Sequence, residues 1–296
     1  MKIGNPGEFG LIRRLAALAP VARAVVKGIG DDCAVLPGTK DTFLLWTCDM
    51  LVERVDFTRR DAPALVGRKA LGVSVSDIAA CGGIPRYALV ALGLPSGIAA
   101  AYVQNLYRGM RKLAQEFGVS VVGGDISRAP AVTIDVSLLG EVRKKRLVLR
   151  SGARPGDIIF VTGRLGGSLA GRHLRFQPRV REAQQLVARY GVHAMIDISD
   201  GLSSDVGHLI RASGVGADIY AELVPAYPGV NLEHALNDGE DFELLFTVNR
   251  TDARRLSRGK TGFFPVGVIT SEKNKVRLID RRGDCCKLVA RGFTHF

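Results

Sequence analysis

The sequence lacks the features that mark several large classes of protein. Its five cysteines form no CxxC pair, which argues against a zinc knuckle. No apolar run approaches the roughly 20 residues that a membrane-spanning helix needs, and the N-terminal segment has no continuous apolar h-region of a secretory signal. The Walker signature GxxxxGK[ST] and the protein-kinase motifs are also missing. We therefore expect a cytoplasmic protein without a membrane segment, a zinc knuckle or a P-loop.

The sequence does have ample apolar residues and an excess of basic ones. A length of 296 residues with 47% hydrophobic content favours two packed domains. Lys and Arg number 41 against 29 Asp and Glu, a net charge of +12, which leaves nucleic-acid binding open. The basic residues are dispersed, however, and no RNP, zinc-finger or recognition-helix signature accompanies them. A positive field also suits small anionic substrates, or it is a solvated surface without a specific partner.

The order of apolar patterns predicts a mixed α/β (α+β) fold, because strands pair locally as well as alternating with helices. We expect a strand at Ala24–Ile29, separate strands at Thr42–Cys48 and Leu51–Val55, and a helix that begins within GGSLAGRHL. The segment EVRKKRLVLRSGARPGD is basic and then rich in Gly and Pro, which indicates a domain boundary. The predicted domains are residues 1–145 and 146–296.

Acidic residues recur at the ends of strongly apolar segments, most of them beside glycines. They are Asp31, Asp32, Asp49, Asp77, Asp125, Asp197, Asp200, Glu240 and Asp241. Each alone also fits a turn or a helix cap, as Asp200 does before the helix at Leu202, and Asp205 fits a polar helix position. Because isolated buried carboxylates are costly, the recurrence indicates a shared cation. Oxygen ligands alone favour Mg²⁺ or Mn²⁺, and Mg²⁺ usually bridges carboxylates to phosphate.

The motifs together resemble those of the thiamine-monophosphate kinase family, which shares a superfamily with aminoimidazole ribonucleotide synthetase and selenophosphate synthetase. In order they are GEFGLI, GIGDDCAVL, CDMLVERVDF, SVSDIAACGG, VVGGDIS, RSGARPGD, VTGRLGGS, DISDGLSSD, GEDFELLF and GFTHF. The resemblance implies two α/β domains, with the N-terminal one forming a β-barrel with its partner in a homodimer. It also implies that ATP and thiamine monophosphate react by direct in-line transfer, assisted by several Mg²⁺ ions.

The resemblance also assigns roles to particular residues. The implied metal ligands are Asp32, Thr47, Cys48 (through its backbone), Asp49, Asp77, Asp125, Asp197 and Asp200. The implied ATP contacts are Tyr107, Gly124, Asp125, Arg150 and Ser199, and the implied substrate contacts are Asp56 and Glu240. No covalent or general-base residue is expected, because a phosphate monoester is already largely ionised near pH 7.

Several positions depart from the family pattern on the acceptor side. Asp56 stands where the family usually has His, Arg54 where it often has Gly, and Ala290 where relatives carry an aromatic residue. The segment after GGSLAG is also short. These departures leave an altered acceptor open, as well as a sibling ATP-dependent synthetase or cyclo-ligase. Selenophosphate synthetase would need a catalytic Cys or Sec in a glycine-rich N-terminal loop, which is missing.

Overall fold

Two β-sheets with helices packed against them form the mixed α/β architecture that the sequence predicts. The computed structural model describes residues 7–259 and 262–293, so the last three residues of the GFTHF ending lie outside the described part. Within the described ranges, no helix combines the length and the apolar composition needed to cross a membrane.

The first half of the chain builds an open five-stranded sheet. Its elements are α1 (Gly7–Leu18), β1 (Ala34–Pro37), β2 (Thr42–Val52), α2 (Pro63–Ala80), β3 (Ile84–Leu94), α3 (Ala100–Phe117), β4 (Ser120–Arg128) and β5 (Thr133–Arg143). The strand order is β1-β2-β5-β3-β4, in which only β3 and β4 run parallel. Because β1 and β4 remain as edges, the described residues of one chain form no closed barrel.

The second half builds a seven-stranded sheet in the order β12-β11-β8-β10-β6-β9-β7. Its strands are β6 (Ile158–Val161), β7 (Val192–Asp197), β8 (Gly216–Tyr220), β9 (Leu244–Val248), β10 (Phe264–Thr270), β11 (Val276–Ile279) and β12 (Cys285–Lys287). Its helices are α4 (Val180–Arg189), α5 (Leu202–Ser213), α6 (Leu232–Asn237) and α7 (Arg250–Arg258). The connection 144–157 joins the two sheets and contains the predicted boundary.

Helix α2 lies between the two halves and is therefore buried on most of its surface. It packs against β2, β5 and α3 of the first half and against α4 and β7 of the second. On β2 the side chains alternate, with Thr47 and Leu51 buried towards α2 and Cys48 and Met50 exposed on the other face. Polar side chains on the inner face of β2 and on α2 are thus held where the halves meet.

Three local predictions are wrong. Residues Ala24–Ile29 form no strand, and only Lys27 makes an isolated bridge, to Val35. The two strands predicted within residues 42–55 are one continuous strand, β2, because the carboxylate of Asp49 is hydrogen-bonded within the fold and does not interrupt the strand. The segment GGSLAGRHL forms two short 3₁₀ turns instead of a helix, with Gly171 between them at φ 99°.

Candidate metal and substrate site

Three carboxylates from three different elements converge between the two halves. Asp32 precedes β1, Asp77 lies in the last turn of α2, and Asp197 ends β7; one oxygen from each lies within 4.8 Å of the others. Asp32 and Asp197 are 7% and 2% exposed, so water screens their charges poorly. The apolar strands and helix that carry these residues hold like charges together against their mutual repulsion.

Hydroxyl groups fix the orientation of the acids. Thr47 donates a hydrogen bond to Asp77 from the inner face of β2. From α2, Ser76 donates to Asp197 at 2.6 Å and Ser74 donates to Asp49, also at 2.6 Å. Sequence reasoning identified Thr47 but missed both serines, although the run SVSD places them within three residues of Asp77.

Arg150 is the basic partner of the acid cluster. Its Nη2 and Nε donate to Oδ1 of Asp32 at 2.6 and 3.1 Å, and its backbone N–H donates to Asp31 at 3.1 Å. The other oxygen of Asp32, Oδ2, is buried and has no hydrogen-bond partner. A buried oxygen without a partner is costly, and a cation beside it would remove that cost.

The pKa values of the cluster reflect an excess of negative charge. Burial, with the charges of neighbouring acids, raises the pKa of Asp77 well above its usual range. Burial is also the main cause that raises the pKa of Asp49 to about 6 and of Asp197 to about 8. The pKa of Asp32 is likewise raised by burial, although Arg150 opposes the shift. A donor set of carboxylates and hydroxyls with excess negative charge fits Mg²⁺.

The start of α5 forms a second acidic group, from Asp200, Asp205 and His208, with ligand atoms within 4.8 Å of one another. Asp200 is not the cap of this helix, because the N-cap is Gly201 at φ 108° without a side-chain cap. Asp205 lies within the helix, and its Oδ2 accepts from two backbone N–H groups that precede the helix, that of Gly201 at 3.0 Å and that of Asp200 at 3.2 Å. Expected as an ordinary polar helix residue, Asp205 is instead 1% exposed.

Five of the predicted site residues line one cavity of about 180 Å³. Its lining consists of Asp49, Met50, Leu51, Asp56, Val73, Ser199, Asp200, Glu240, Phe242 and Phe293. Predicted metal ligands, a predicted ATP contact and both predicted substrate residues therefore border one space. We call it the acceptor cavity.

Glu240 belongs to a buried charge network that sequence reasoning missed. Nζ of the fully buried Lys69 lies 2.5 Å from Glu240, 3.0 Å from Nδ1 of His173 and 2.7 Å from the carbonyl oxygen of Asp56. His173 also lies 3.0 Å from Glu240. Burial raises the pKa of Glu240, but the hydrogen bond from His173 and the charge of Lys69 outweigh it and hold the pKa below its ordinary value.

The backbone beside the acceptor cavity is in the left-handed region at non-glycine residues. Glu240 and Phe242 both have φ 51°, and Arg54 has φ 76°. Such conformations cost free energy and concentrate at functional sites. Arg54 stands where the family resemblance implied glycine. The backbone there keeps the positive φ that glycine favours, although the side chain is now an arginine.

The predicted nucleotide residues of β4 and α3 are not among the residues that line the acceptor cavity. Gly124 pairs with Val90, and a Cβ there would approach the Val90 carbonyl oxygen to 1.8 Å, so only glycine fits. Asp125 is exposed on the same edge strand. Tyr107 lines a groove of about 650 Å³ between α3 and β4.

Cys48 lies on the face of β2 opposite the acid cluster. Its thiol donates to Asp135 at 3.1 Å, and burial, together with that hydrogen bond, raises the pKa of Cys48 to about 12. The side chain is therefore a neutral thiol that binds Asp135 and is directed away from the acid cluster. Any metal contact at this position has to use the backbone.

Comparison with known proteins identifies both halves of the chain. Residues 30–142 match the N-terminal domain of AIR synthase related proteins, and residues 159–276 match their C-terminal domain. The matched residues include Asp32, Asp77 and Asp197 and most of both sheets, whereas β12 and nearly all of β11 follow the second match.

Among curated relatives, thiamine-monophosphate kinase of Rhodopirellula baltica is 41% identical over 77% of this chain and 78% of its own length. The Bacillus subtilis thiamine-monophosphate kinase is 32% identical over 98% of this chain and 99% of its own. A solved structure of AaThiL complexed with AMPPCP and TMP superposes with a TM-score of 0.87 at 34% identity. It covers 100% of this chain and 99% of that one.

Proposed function

The chain belongs to the thiamine-monophosphate kinase family of AIR synthase related proteins, and from this premise we infer its reaction. It is an ATP-dependent kinase that transfers a phosphoryl group from ATP to thiamine monophosphate, yielding thiamine diphosphate and ADP. The observation that supports this best is the acceptor cavity, where acids suited to Mg²⁺ and a charge-balanced glutamate border one space.

We propose that Asp32, Asp49, Asp77, Asp197 and Asp200 hold the Mg²⁺ ions. Bound Mg²⁺ would supply the positive charge that lets two phosphate-bearing anions approach each other. The unpartnered Oδ2 of Asp32 supports this assignment. The hydroxyls of Ser74, Ser76 and Thr47 keep the carboxylates of Asp49, Asp197 and Asp77 in place, so they act as positioning residues.

On the acceptor side, Glu240 faces the cavity as a carboxylate because Lys69 and His173 stabilise its ionised form. The acceptor carries a cationic thiazolium ring, for which a carboxylate and the aromatic side chains Phe242 and Phe293 are suitable neighbours. We propose that Glu240 orients this ring, together with Asp56. No side chain needs to remove a proton, because the acceptor phosphate is already largely ionised near pH 7.

On the donor side, we propose that Ser199 and Arg150 bind ATP phosphates. Ser199 lines the acceptor cavity, and Arg150 already lies against the acids. Tyr107 borders a groove large enough for a purine, and the glycine at 124 leaves room for close backbone approach. We retain two further proposed metal contacts, Asp125 on the edge strand β4 and the backbone of Cys48 on β2.

We further propose that two copies pair through the outer face of the first sheet. Large apolar side chains are exposed there, among them Trp46, Met50, Tyr87 and Leu89. Contiguous exposed apolar side chains commonly mark protein interfaces. Pairing would cover this face and complete the barrel that one chain leaves open. The division into domains 1–145 and 146–296 is likewise retained as a proposal.

The direct test offers ATP and Mg²⁺ with thiamine monophosphate, thiamine or the substrates of the sibling synthetases, and follows ADP release. We expect turnover with thiamine monophosphate only, and its absence would reject the kinase function. Substitution Asp200→Asn should lower turnover strongly at saturating Mg²⁺; a rate equal to wild type would refute the ligand role of Asp200.

A further inference from the structure

A second cavity lies on the other side of Glu240 and is lined largely by arginine. Its volume is about 280 Å³, and Glu240 is the one residue named in the linings of both this cavity and the acceptor cavity. We call it the arginine cavity. Its lining consists of Arg164, Arg172, Arg175, Phe176, Gln177, Arg179, Tyr227, Glu240, Asp241 and Glu243.

Two of the four arginines are paired with acids in the cavity wall. Arg179 binds the buried Glu243 through two hydrogen bonds, one of them from Nε at 2.7 Å, and Thr162 donates to the same carboxylate at 2.6 Å. Arg172 lies 3.2 Å from Asp241 and stacks over the ring of Tyr227 at 3.4 Å. These pairs hold the four side chains in position, so they form the rigid part of the wall.

The other two arginines have no acidic partner among the residues that the structure describes. Nη1 of Arg164 donates to the carbonyl oxygen of Ala226 at 2.8 Å, and Nη1 of Arg175 donates to that of Gly171 at 3.3 Å. Each guanidinium retains further N–H donors. Burial also raises the pKa of Asp241 to about 7, which reduces the negative charge of the wall near neutral pH. The cavity therefore carries excess positive charge.

We propose that the arginine cavity is a binding site for a small phosphate-bearing anion, which Arg164 and Arg175 bind through their guanidinium groups. Guanidinium groups match the geometry of phosphate oxygens and bind them through paired N–H donors. The volume is at the small end for a ligand site, which favours a phosphate or diphosphate group over a whole nucleotide. The two aromatic side chains of the wall are also each stacked already, Phe176 on Phe242 at 4.0 Å and Tyr227 under Arg172. This leaves less ring surface for a nucleotide base to stack on.

This site differs from the proposed kinase centre in what it requires. The acid cluster repels a phosphate unless metal ions are bound, whereas the arginine cavity attracts a phosphate directly. Binding measured without divalent metal therefore tests the arginine cavity independently of whether the chain is a kinase.

The test is calorimetric titration of the full chain with inorganic pyrophosphate in EDTA. We expect one saturable site, with a Kd that rises about tenfold or more in the double variant Arg164→Gln/Arg175→Gln, because each substitution removes charged hydrogen bonds. The matched control, Arg281→Gln/Arg282→Gln, removes the same charge from a turn outside both cavities and should leave the Kd unchanged. AMP in a parallel titration tests whether a nucleotide phosphate is preferred.

A pyrophosphate Kd that is equal in the two double variants would overturn the proposal, and so would the absence of saturable binding to wild type. Tighter binding of AMP than of pyrophosphate would overturn the restriction to a small anion. Arg164 and Arg175 are exposed, and far-UV circular dichroism and thermal melting should confirm that the variant is folded. If the variant is unfolded, the single substitution Arg175→Gln provides the same comparison.

Discussion

The two charged centres on α2, one around Asp77 and one around Lys69, differ in how their charges are balanced. Around Asp77 the chain gathers carboxylates, and burial with mutual repulsion raises their pKa values. Around Lys69 the chain pairs a buried ammonium with Glu240, and the pKa of that glutamate is lowered. The second centre is balanced by the protein itself, whereas the first carries an excess of acids that the proposed Mg²⁺ would offset. A buried acid therefore indicates a metal site only when no basic side chain of the protein balances its charge.

The largest expected effect comes from neutralising the unbalanced centre. Asp77→Asn should lower turnover about 100-fold or more, since a residue that positions charge for phosphoryl transfer is lost. Without metal the same variant should be more stable than wild type to urea, because folding of the wild type must either protonate this carboxyl or bury its charge beside other acids. The exposed Asp41→Asn is the matched control and should change neither quantity. Wild-type turnover in Asp77→Asn would contradict the assignment.

The balanced centre should respond in the opposite sense. Lys69→Met leaves Glu240 buried without its main cation, so we expect the free energy of unfolding to fall by about 3 kcal/mol. Adding Glu240→Gln should restore part of that loss in a double-mutant cycle measured by urea denaturation. Lys275→Met, which breaks an exposed pair with Glu272, is the control and should cost under about 1 kcal/mol. Equal losses in the two lysine variants would refute the buried network.

The pH dependence of stability sharpens the same contrast. In the unfolded chain these carboxyls lose their protons near pH 4, whereas the metal-free fold keeps them to about pH 6 at Asp49 and about pH 8 at Asp197. The folded state binds more protons in this window, so the free energy of unfolding falls as pH rises. We expect a loss of about 2 kcal/mol or more between pH 5 and pH 8 in EDTA. Saturating Mg²⁺ should remove most of it; an identical slope would argue against metal binding.

The smallest effect tests backbone strain beside the balanced centre. Arg54→Gly should raise the free energy of unfolding by about 1 kcal/mol, because glycine adopts the observed φ of 76° without a Cβ clash. Arg60→Gly, at a turn position without positive φ, should bring no gain. If Arg54→Gly also leaves turnover within twofold, the strain there is incidental to the reaction.

Sequence reasoning located the acids because each one interrupts or ends a strongly apolar segment. It could not locate their partners, since hydrogen bonds such as Ser76 to Asp197 join residues 121 positions apart. Lys69 was missed for a related reason: a single lysine in a helix normally reaches solvent, and only the packing of α2 between both halves buries it completely.

The misassigned elements have local causes. Helix α6 was not predicted, because its six residues are too few to show a helical period. The glycines of GGSLAGRHL adopt positive φ, which breaks the helix that the surrounding residues favour. Asp200 does not cap α5, because the turn at Gly201 directs the backbone N–H groups of Asp200 and Gly201 towards Asp205 within the helix.

Helix α2 carries parts of both centres and so sets the distance between them. Lys69 and Ser76 are seven residues apart, which places them on nearly the same side of the helix about 10 Å apart. Inserting or deleting one residue between them would rotate one centre by about 100° relative to the other. Length variation in this helix should therefore be far less tolerated during evolution than in the loops. The number of residues between Lys69 and Ser76 thus fixes both the distance and the relative orientation of the two centres.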